Sequence, residues 1–413
     1  MSKINELINK LCPNGVKYKK VWEVTTWDKK YNAVEKSMQP RIEKYNYLLA
    51  NQLNEIVDPD GDVLILETGI NSEKKYTNID LAGNNLCDAE IIAIPWGGTP
   101  NVKYYKGKFV TGDNRIAISN DTNLLSTKFL YYIFENRMSE ISDFYRGSGI
   151  KHPEMKKILL MNIPIPPIEV QKEIVRILDK FSELEAELEA ELEARKSQYE
   201  FWRGKVISSS DGRNGKLIEL LSGPVTDGPH TTPQLVSEGI PFISASAVHE
   251  GKIHLEDAQG FITKEFDAEC SKKYKPKKWD VYMVKSGSTT GKVAIVDIDD
   301  DFNIWSPLAA MRTNNEITSR YLYHLLQTKE IQEQVQNRMS HGSQPNLSMR
   351  VLEQFDVKIP TLKEQERIVN VLDKFDKLIN DITVGLPAEI ELRRKQYEYY
   401  RNKLLSFKEL TNE

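Results

Sequence analysis

Cysteine is scarce in this chain: Cys12, Cys87 and Cys270 are the only three in 413 residues. Odd in number and far apart, they exclude a disulfide framework and a CxxC zinc pair, fit a reducing compartment, and read as small core or surface residues. Apolar runs long enough to span a bilayer, about 18 residues or more, are missing too. The opening Met-Ser-Lys-Ile-Asn-Glu has no basic start followed by an apolar core, so a cytoplasmic protein without a membrane partner is expected. A strong charge of one sign is also absent, the formal net charge being −4. That figure argues against a uniformly basic nucleic-acid binder but hides segregation. Glu183 to Ala194 reads ELEAELEAELEA and alone carries six glutamates, more than the whole net charge.

Catalytic signatures are equally thin. Ser286 to Lys292, SGSTTGK, has only three residues between Gly287 and Gly291, and Val293 stands where a phosphate loop needs Ser or Thr. Pro166-Pro167 lies between Ile165 and Ile168, which can neither hold a target amine nor stack on a flipped base, as an amino-methyltransferase requires. Pro59-Asp60 with Glu67 suggests a metal nuclease until Gly69 appears in place of the expected lysine, and there is no HExxH. His249 and His254, five apart, have poor ligand spacing on a helix or a strand and read as surface or hydrogen-bonded histidines. No catalytic residue, no metal ligand and no cofactor of this chain's own is expected.

An internal repeat is present instead. IPPIEVQKEIVRILDKF (Ile165 to Phe181) and IPTLKEQERIVNVLDKF (Ile359 to Phe375) agree at nine of seventeen positions, 194 residues apart. RKSQYEFWRGKVIS (Arg195 to Ser208) and RRKQYEYYRNKLLS (Arg393 to Ser406) agree at seven of fourteen. Both pairs read as helices, because Ile174, Leu178, Phe181, Leu184, Leu188 and Leu192, then Tyr199, Trp202 and Val206, recur three and four apart. Leu184, Leu188 and Leu192 make a stripe that packs on a partner helix, with Ala186, Ala190 and Ala194 opposite. The first arm follows Pro164, Pro166 and Pro167. The second starts at a capping box of Thr361 and Glu364, and Gly385 and Pro387 predict a break with a fresh helix from about Ala388. Glutamates four apart repel, so the repeat is expected to face cations, with Arg393, Arg394, Lys395, Arg401 and Lys403 as candidates.

Each arm follows a segment of about 150 residues, a usual domain size, with strand-like runs bounded by glycine and proline. Glu90 to Thr99, EIIAIPWGGT, parallels Asp280 to Thr289, DVYMVKSGST, as a buried strand entering a tight polar turn. Each then has a helical stretch, FLYYIFEN from Phe129 and YLYHLLQT from Tyr321, followed by a loop, GSGIKH from Gly147 and HGSQPN from His341. The expected fold is α+β: two mixed globular domains and two long antiparallel helical arms forming a coiled coil, related by a pseudo-twofold repeat. The segments are 1–163 for domain one, 164–208 for the central arm, 209–357 for domain two and 358–413 for the C-terminal arm.

LCPNGVKYKKVWEV near the N-terminus, IPIPPIEVQKEIVRILDKF, RKSQYEFWRGK and their second copies resemble the specificity subunits of type I restriction-modification systems over essentially the whole chain. That resemblance implies a non-catalytic subunit whose two target-recognition domains each read one half of a split double-stranded DNA sequence. It also implies arms that set the gap and dock two methyltransferase subunits, with endonuclease/translocase subunits as further partners. S-adenosylmethionine would sit on the methyltransferase, and ATP and Mg on the endonuclease. The other reading, a coiled-coil interaction scaffold that reads no DNA, needs the same arms. For DNA contact the residues themselves suggest two basic-aromatic patches. One holds Asn101, Lys103, Tyr104, Tyr105, Lys106 and Lys108; the other holds Lys272, Lys273, Lys275, Lys277 and Lys278 with Tyr274 and Trp279. Lys285 and Lys292 add charge, and Ser288, Thr289, Gln344 and Asn346 offer polar groups to base edges. Leu184, Leu188, Leu192, Tyr199, Trp202, Tyr397 and Tyr400 are the candidate spacer and partner surface of the arms.

Overall fold

In the computed structural model, which describes residues 2–70, 74–340, 345–380 and 385–410, the chain forms two compact units that cut through both arms. Met1–Ala186 joins Leu392–Glu413 in the first, and Glu187–Glu391 is the second.

The first unit is built on a six-stranded sheet of β1 (Thr25–Trp27), β2 (Val63–Leu66), β3 (Lys75–Thr77), β4 (Cys87–Pro95), β5 (Lys103–Thr111) and β6 (Asn114–Ser119). Their order is β1-β6-β4-β5-β2-β3, antiparallel except for the β2/β5 pair. β4 is buried on both faces, which is why EIIAIP reads as a nearly continuous apolar run. Ile92 and Ile94 enter a core with Phe129 and Ile133 of the helix Thr127–Asn136, while Ile91 and Ala93 enter a second cluster with Leu64, Phe109 and Ile116. A ribbon of Lys17–Lys20 against Asn162–Ile165 ties the two ends of this domain together. At the margin of that ribbon the C-terminal tail joins in: Val16 N–H donates to the Lys408 carbonyl (2.9 Å) and Leu410 N–H to the Val16 carbonyl (2.8 Å).

The second unit repeats the plan with β7 (Thr226–Asp227), β8 (Val281–Val284), β9 (Val293–Ile295) and β10 (Leu308–Met311), ordered β7-β10-β8-β9. That order matches β1-β6-β4-β5. Again the central strand alternates, Val281 and Met283 facing the helix Ser319–Leu326 and Tyr282 and Val284 facing a separate cluster. Again a ribbon, Gly212–Lys216 against Asp356–Pro360, closes the domain.

The central arm is one unbroken helix, Ile168–Ser208. The C-terminal arm is Leu362–Asn380 and Leu386–Leu405, so the fresh helix starts two residues before Ala388, with Pro387 in its first turn where a missing N–H costs nothing. Thr361 Oγ1 accepts from Glu364 N–H at 3.4 Å, but the Glu364 carboxylate turns to Arg367 instead of returning to Thr361, so the capping box is half made. Within the first unit the arms run antiparallel: Phe181 stacks on Tyr400 (5.5 Å) and meets Tyr397, while Glu185, one turn on, pairs with Arg394, nearly two turns back (2.6 Å). Arg394 is thus a cation that meets the glutamate repeat. Arg401 is not, since it reaches Glu135 and Asn136, and Lys403 lies over Tyr399. Other repeat glutamates are met within their own helix, Glu183 by Lys180, Glu191 by Arg195 and Glu193 by Lys196. Leu184, Leu188 and Leu192 are half-buried and the alanines exposed.

The sequence repeat is a repeat of polar locks. Gln171 and Gln365 are both fully buried. The Gln171 amide donates to the Leu124 and Pro166 carbonyls (2.8 and 2.7 Å) and accepts from Ser126 N–H (2.9 Å). The Gln365 amide donates to the Glu316 and Pro360 carbonyls (2.8 and 3.0 Å) and accepts from Thr318 N–H (2.9 Å). Two turns on, Asp179 accepts from Lys128 and Tyr132, and Asp373 from Arg320 and His324. The other arm closes the far end of the same domain helix. Tyr397 donates to Glu135 (2.7 Å) with Arg401 over its ring, and Tyr199 bonds His324 Nδ1 (3.2 Å) with Arg203 over its ring and donating to the Gln327 carbonyl. Tyr and Arg four apart share one helix face, and an arginine at a helix C-terminus satisfies its last carbonyls.

Burial alone would raise the Asp373 carboxyl, but its bonds from His324 and Arg320 outweigh that and hold it below the usual aspartate range. A carboxyl depressed on folding contributes stability that is complete above its unfolded value, about 4, and is lost as pH falls through the lower folded value. Acid titration followed by circular dichroism should therefore show an Asp373→Asn variant less stable than wild type at neutral pH, the gap narrowing as pH falls below about 4. A gap that is constant with pH would mean that Asp373 carries no charge-dependent stability.

Candidate nucleic-acid interface

In each unit the central strand ends in a polar turn, and that turn is bonded to a loop some fifty residues downstream in the chain. β4 stops at Pro95, and Gly98, at φ +103°, lets its N–H donate to the Lys151 carbonyl (3.0 Å) while His152 Nδ1–H donates to the Trp96 carbonyl (2.7 Å). After β8, Gly287 N–H donates to the Pro345 carbonyl (3.0 Å), and Leu347 N–H to the Lys285 carbonyl (2.7 Å). The turn-plus-loop surface is therefore one composite site per unit, assembled from the two features that recur in the sequence.

Beneath the first site lies a buried ion pair. Arg115, 1% exposed, meets Asp28 at 2.8 Å, and Asp28 also accepts from Tyr31 and from Ile116 N–H. Burial pushes the Asp28 carboxyl up, and Arg115 only partly offsets this. In the second unit the part-exposed Arg312 grips Asp280 with two bonds of 2.7 Å, at the start of β8 and so at the opposite end of that strand from the turn. Above the first pair, Trp96 is flanked by Lys29 (4.8 Å), Arg115 (5.0 Å) and His152 (5.3 Å). It borders a cavity of about 850 Å³ whose rim carries Lys29, Lys30, Lys156 and Lys157. Those lysine pairs lie far apart in the chain, so no local pattern reveals that they converge.

The basic residues singled out in the sequence divide into free and engaged. Lys103 donates to the Glu67 carbonyl, and burial lowers it to about 8. Tyr104 donates to Glu90 (3.0 Å) and exposed Lys106 pairs with the same carboxylate (3.3 Å). Half-buried Lys108 is registered opposite Asp88, and Asn101 is buried, donating to the Thr68 and Thr99 carbonyls. Tyr105 packs edge-on against Phe109. In the second unit Lys273 pairs with Asp227, Lys275 with Asp267 and Asp301, and Lys278 with Asp299. Lys285 is a correction. It is no surface cation: 8% exposed, it pairs at 3.3 Å with Asp227, which is wholly buried. Lys272, Lys277 and Lys292 are exposed with no ion pair among the described residues. Ser288 and Thr289 sit on the turn, Ser288 exposed; Asn346 is exposed and held through its backbone by Ser340, and Gln344 lies outside the described residues.

On the arms, Tyr199 and Tyr397 are buried in the locks and Tyr400 stacks on Phe181. Trp202 is 40% exposed with Lys205 over its ring (5.0 Å). Phe201 and Tyr399, which are equivalent in the repeat and which periodicity does not mark as important, are 62% and 59% exposed.

Comparison with known proteins decides the family. A model described as "Type I restriction modification DNA specificity domain" matches the chain twice, at residues 13–194 and 228–392. The chain belongs to the type I restriction-modification specificity subunits. It is 33% identical over 307 residues to the Escherichia coli type I restriction enzyme EcoR124I/EcoR124II specificity subunit, covering 71% of this chain and 74% of that one. It is likewise 33% identical over 337 residues to a putative type I restriction enzyme specificity subunit of Haemophilus influenzae, covering 78% and 83%. A crystal structure of the S subunit from M. genitalium has the same fold (TM-score 0.55, 16% identity, 95% of this chain and 96% of that one). Both family matches include a turn-plus-loop site, so this specificity subunit carries two.

Removing Lys272 and Lys277 together should weaken DNA binding and reduce the slope of log K against log salt by about one unit per lost phosphate contact, base preference being kept. Lys285→Ala should act on stability instead, lowering it by about 2 kcal/mol or more by taking a partner from the buried Asp227 carboxylate. Salt-dependent binding isotherms and denaturant melts separate the two, and a steep salt-slope change for Lys285→Ala with unchanged stability would reverse the assignment.

Proposed function

We propose that each unit reads one half of a bipartite double-stranded DNA target through its turn-plus-loop site, and that the chain performs no chemistry itself. The observation that carries this reading is the duplication of one composite site on one set of arm locks. Exposed lysines beside each site neutralise phosphates, which position a protein on duplex, and the turn's polar groups address base edges. Methyl transfer falls to partner subunits holding S-adenosylmethionine, and cleavage to endonuclease/translocase subunits holding ATP and Mg, all in the cytoplasm. Phe201 and Tyr399, equivalent in the repeat and both exposed, give two matching aromatic anchors, as two identical methyltransferase subunits would need; aromatic side chains dominate the energetics of such anchors.

The glutamate repeat is the spacer between readers. One ELEA word is about 6 Å and 1.1 turns of helix, so adding or removing one rotates the remainder of the arm by roughly 40° and keeps a leucine every fourth place. A neighbouring base pair moves the far half-site by about 3.4 Å and roughly a tenth of a turn. Length can therefore change in whole words while the half-sites stay the same. Variants with two and four words, assembled with the methyltransferase and mapped for methylated sites, should keep both half-site sequences and change the gap by about one base pair. Full activity at an unchanged gap in both variants would show that the arm is not the spacer, and uniform methylation of unrelated sequences would remove the reading function altogether.

A further inference from the structure

We propose that the hairpin around Glu250 is a binding site for a divalent transition-metal ion of the zinc type, with His249, Glu250 and His254 as ligands. Spacing along the chain argues against this pair of histidines, but the fold overrides it. Val248–His249 pairs antiparallel with Lys252–Ile253 around a two-residue turn, Glu250-Gly251, so residues five apart meet across and just past a hairpin. The two imidazole centroids lie 3.7 Å apart, and one donor atom from each histidine and from the Glu250 carboxylate all fall within 4.8 Å of one another.

The tautomers are set by outer partners. His249 Nε2 bonds Asp257 at 2.8 Å and His254 Nδ1 bonds Glu256 at 3.0 Å. Each ring therefore spends one nitrogen on a carboxylate, the arrangement that orients metal-bound histidines and raises their basicity. The lone pairs of His249 Nδ1 and His254 Nε2 remain. His254 Nε2 is buried and has no hydrogen-bond partner. An acceptor buried without a partner is destabilising, and a bound cation is a group that would satisfy it. Three carboxylates, Glu250, Glu256 and Asp257, surround two imidazoles, while the nearby Lys252 ammonium points to Asp297 (4.0 Å), so the local charge favours a dication.

The turn itself is unusual. Glu250 has φ +51° and Gly251 φ +74°, a turn that ordinarily takes Asn, Asp or Gly at its first position. Glutamate there holds a strained backbone and hangs its carboxylate beside the rings. Zinc–nitrogen and zinc–oxygen bonds of about 2.0–2.2 Å require the three donors to close by roughly 1 Å. The exposed Glu250 side chain and the 35%-exposed His249 can supply that movement, His249 turning out of the ring stack. A side chain at Gly251 would collide with the Tyr323 hydroxyl, so the hairpin lies against the same helix whose next residue, His324, makes the Tyr199 and Asp373 lock. Metal at the hairpin would thus stiffen the unit where the arms grip it.

Calorimetric titration of the full chain with zinc chloride, and cobalt chloride absorption as a second probe, tests this. One equivalent should bind, Glu250→Gln should weaken it at least tenfold, and His249→Ala with His254→Ala should abolish it. Glu250→Gln removes an exposed group and keeps the fold, so its result stands whatever the double variant does to the hairpin. Thermal melts should show wild type, not Glu250→Gln, stabilised by zinc at concentrations above the measured dissociation constant. Absence of saturable zinc binding to the wild type, or equal binding by wild type and Glu250→Gln, would overturn the proposal.

Discussion

The buried side-chain amide of Gln171, and that of Gln365 in the second copy, is the contact on which the rest of each unit depends. Both sit at the first turn of an arm and bond backbone groups of a loop of the preceding domain and of the proline two residues ahead of the arm helix. Three backbone groups that would otherwise be buried without partners are satisfied by one planar group, and its geometry fixes the direction in which the helix leaves the domain. Deleting it would leave several unsatisfied groups at about 1–3 kcal/mol each, a large share of an ordinary stability.

From that root the other locks follow in register. Asp179 and Asp373, two turns on, reach the polar face of the domain helix, and Tyr397 with Arg401, or Tyr199 with Arg203, close its far end from the other arm. Each domain is thereby held by the start of one arm and the end of the other. The partners differ in chemistry while the positions agree: Tyr132 and His324 both donate to the arm aspartate, and Glu135 and Gln327 both receive the arm arginine. The sockets are alike while the readers above them differ, β4 and β5 continuing into β2 and β3 in one and β8 and β9 standing without such neighbours in the other. Change of target can then occur in the readers with the arms untouched.

How much of this can be read from residues depends on how local the cause is. Helical periodicity marked both arms, and the identity of Gln, Leu, Asp, Tyr and Arg across the two copies was visible, but not that these residues lock arm to domain: Tyr199 and Tyr397, expected on the spacer and partner surface, are buried against the domain helices. The strand-and-turn pair EIIAIPWGGT and DVYMVKSGST, with its following loops, became the composite sites. Features that depend on distant pairing stayed hidden. Lys285 reads as one lysine among many until Asp227 is found buried beside it, and the Trp96 cavity gathers lysines separated by more than a hundred residues. His249 and His254 fail any test of helical or strand spacing because a hairpin turn, not a regular element, brings them together.

The central claim is that two separate readers share one set of arms. Exchanging Lys19 to Met161 for the matching segment of a relative with another target, while keeping Gln171, Asp179, Tyr397 and Arg401, tests it most directly, with methylated sites mapped in cells that also carry the methyltransferase. The account predicts that one half of the target changes while the other half is kept. A simultaneous change of both halves in an active, assembled complex would contradict it.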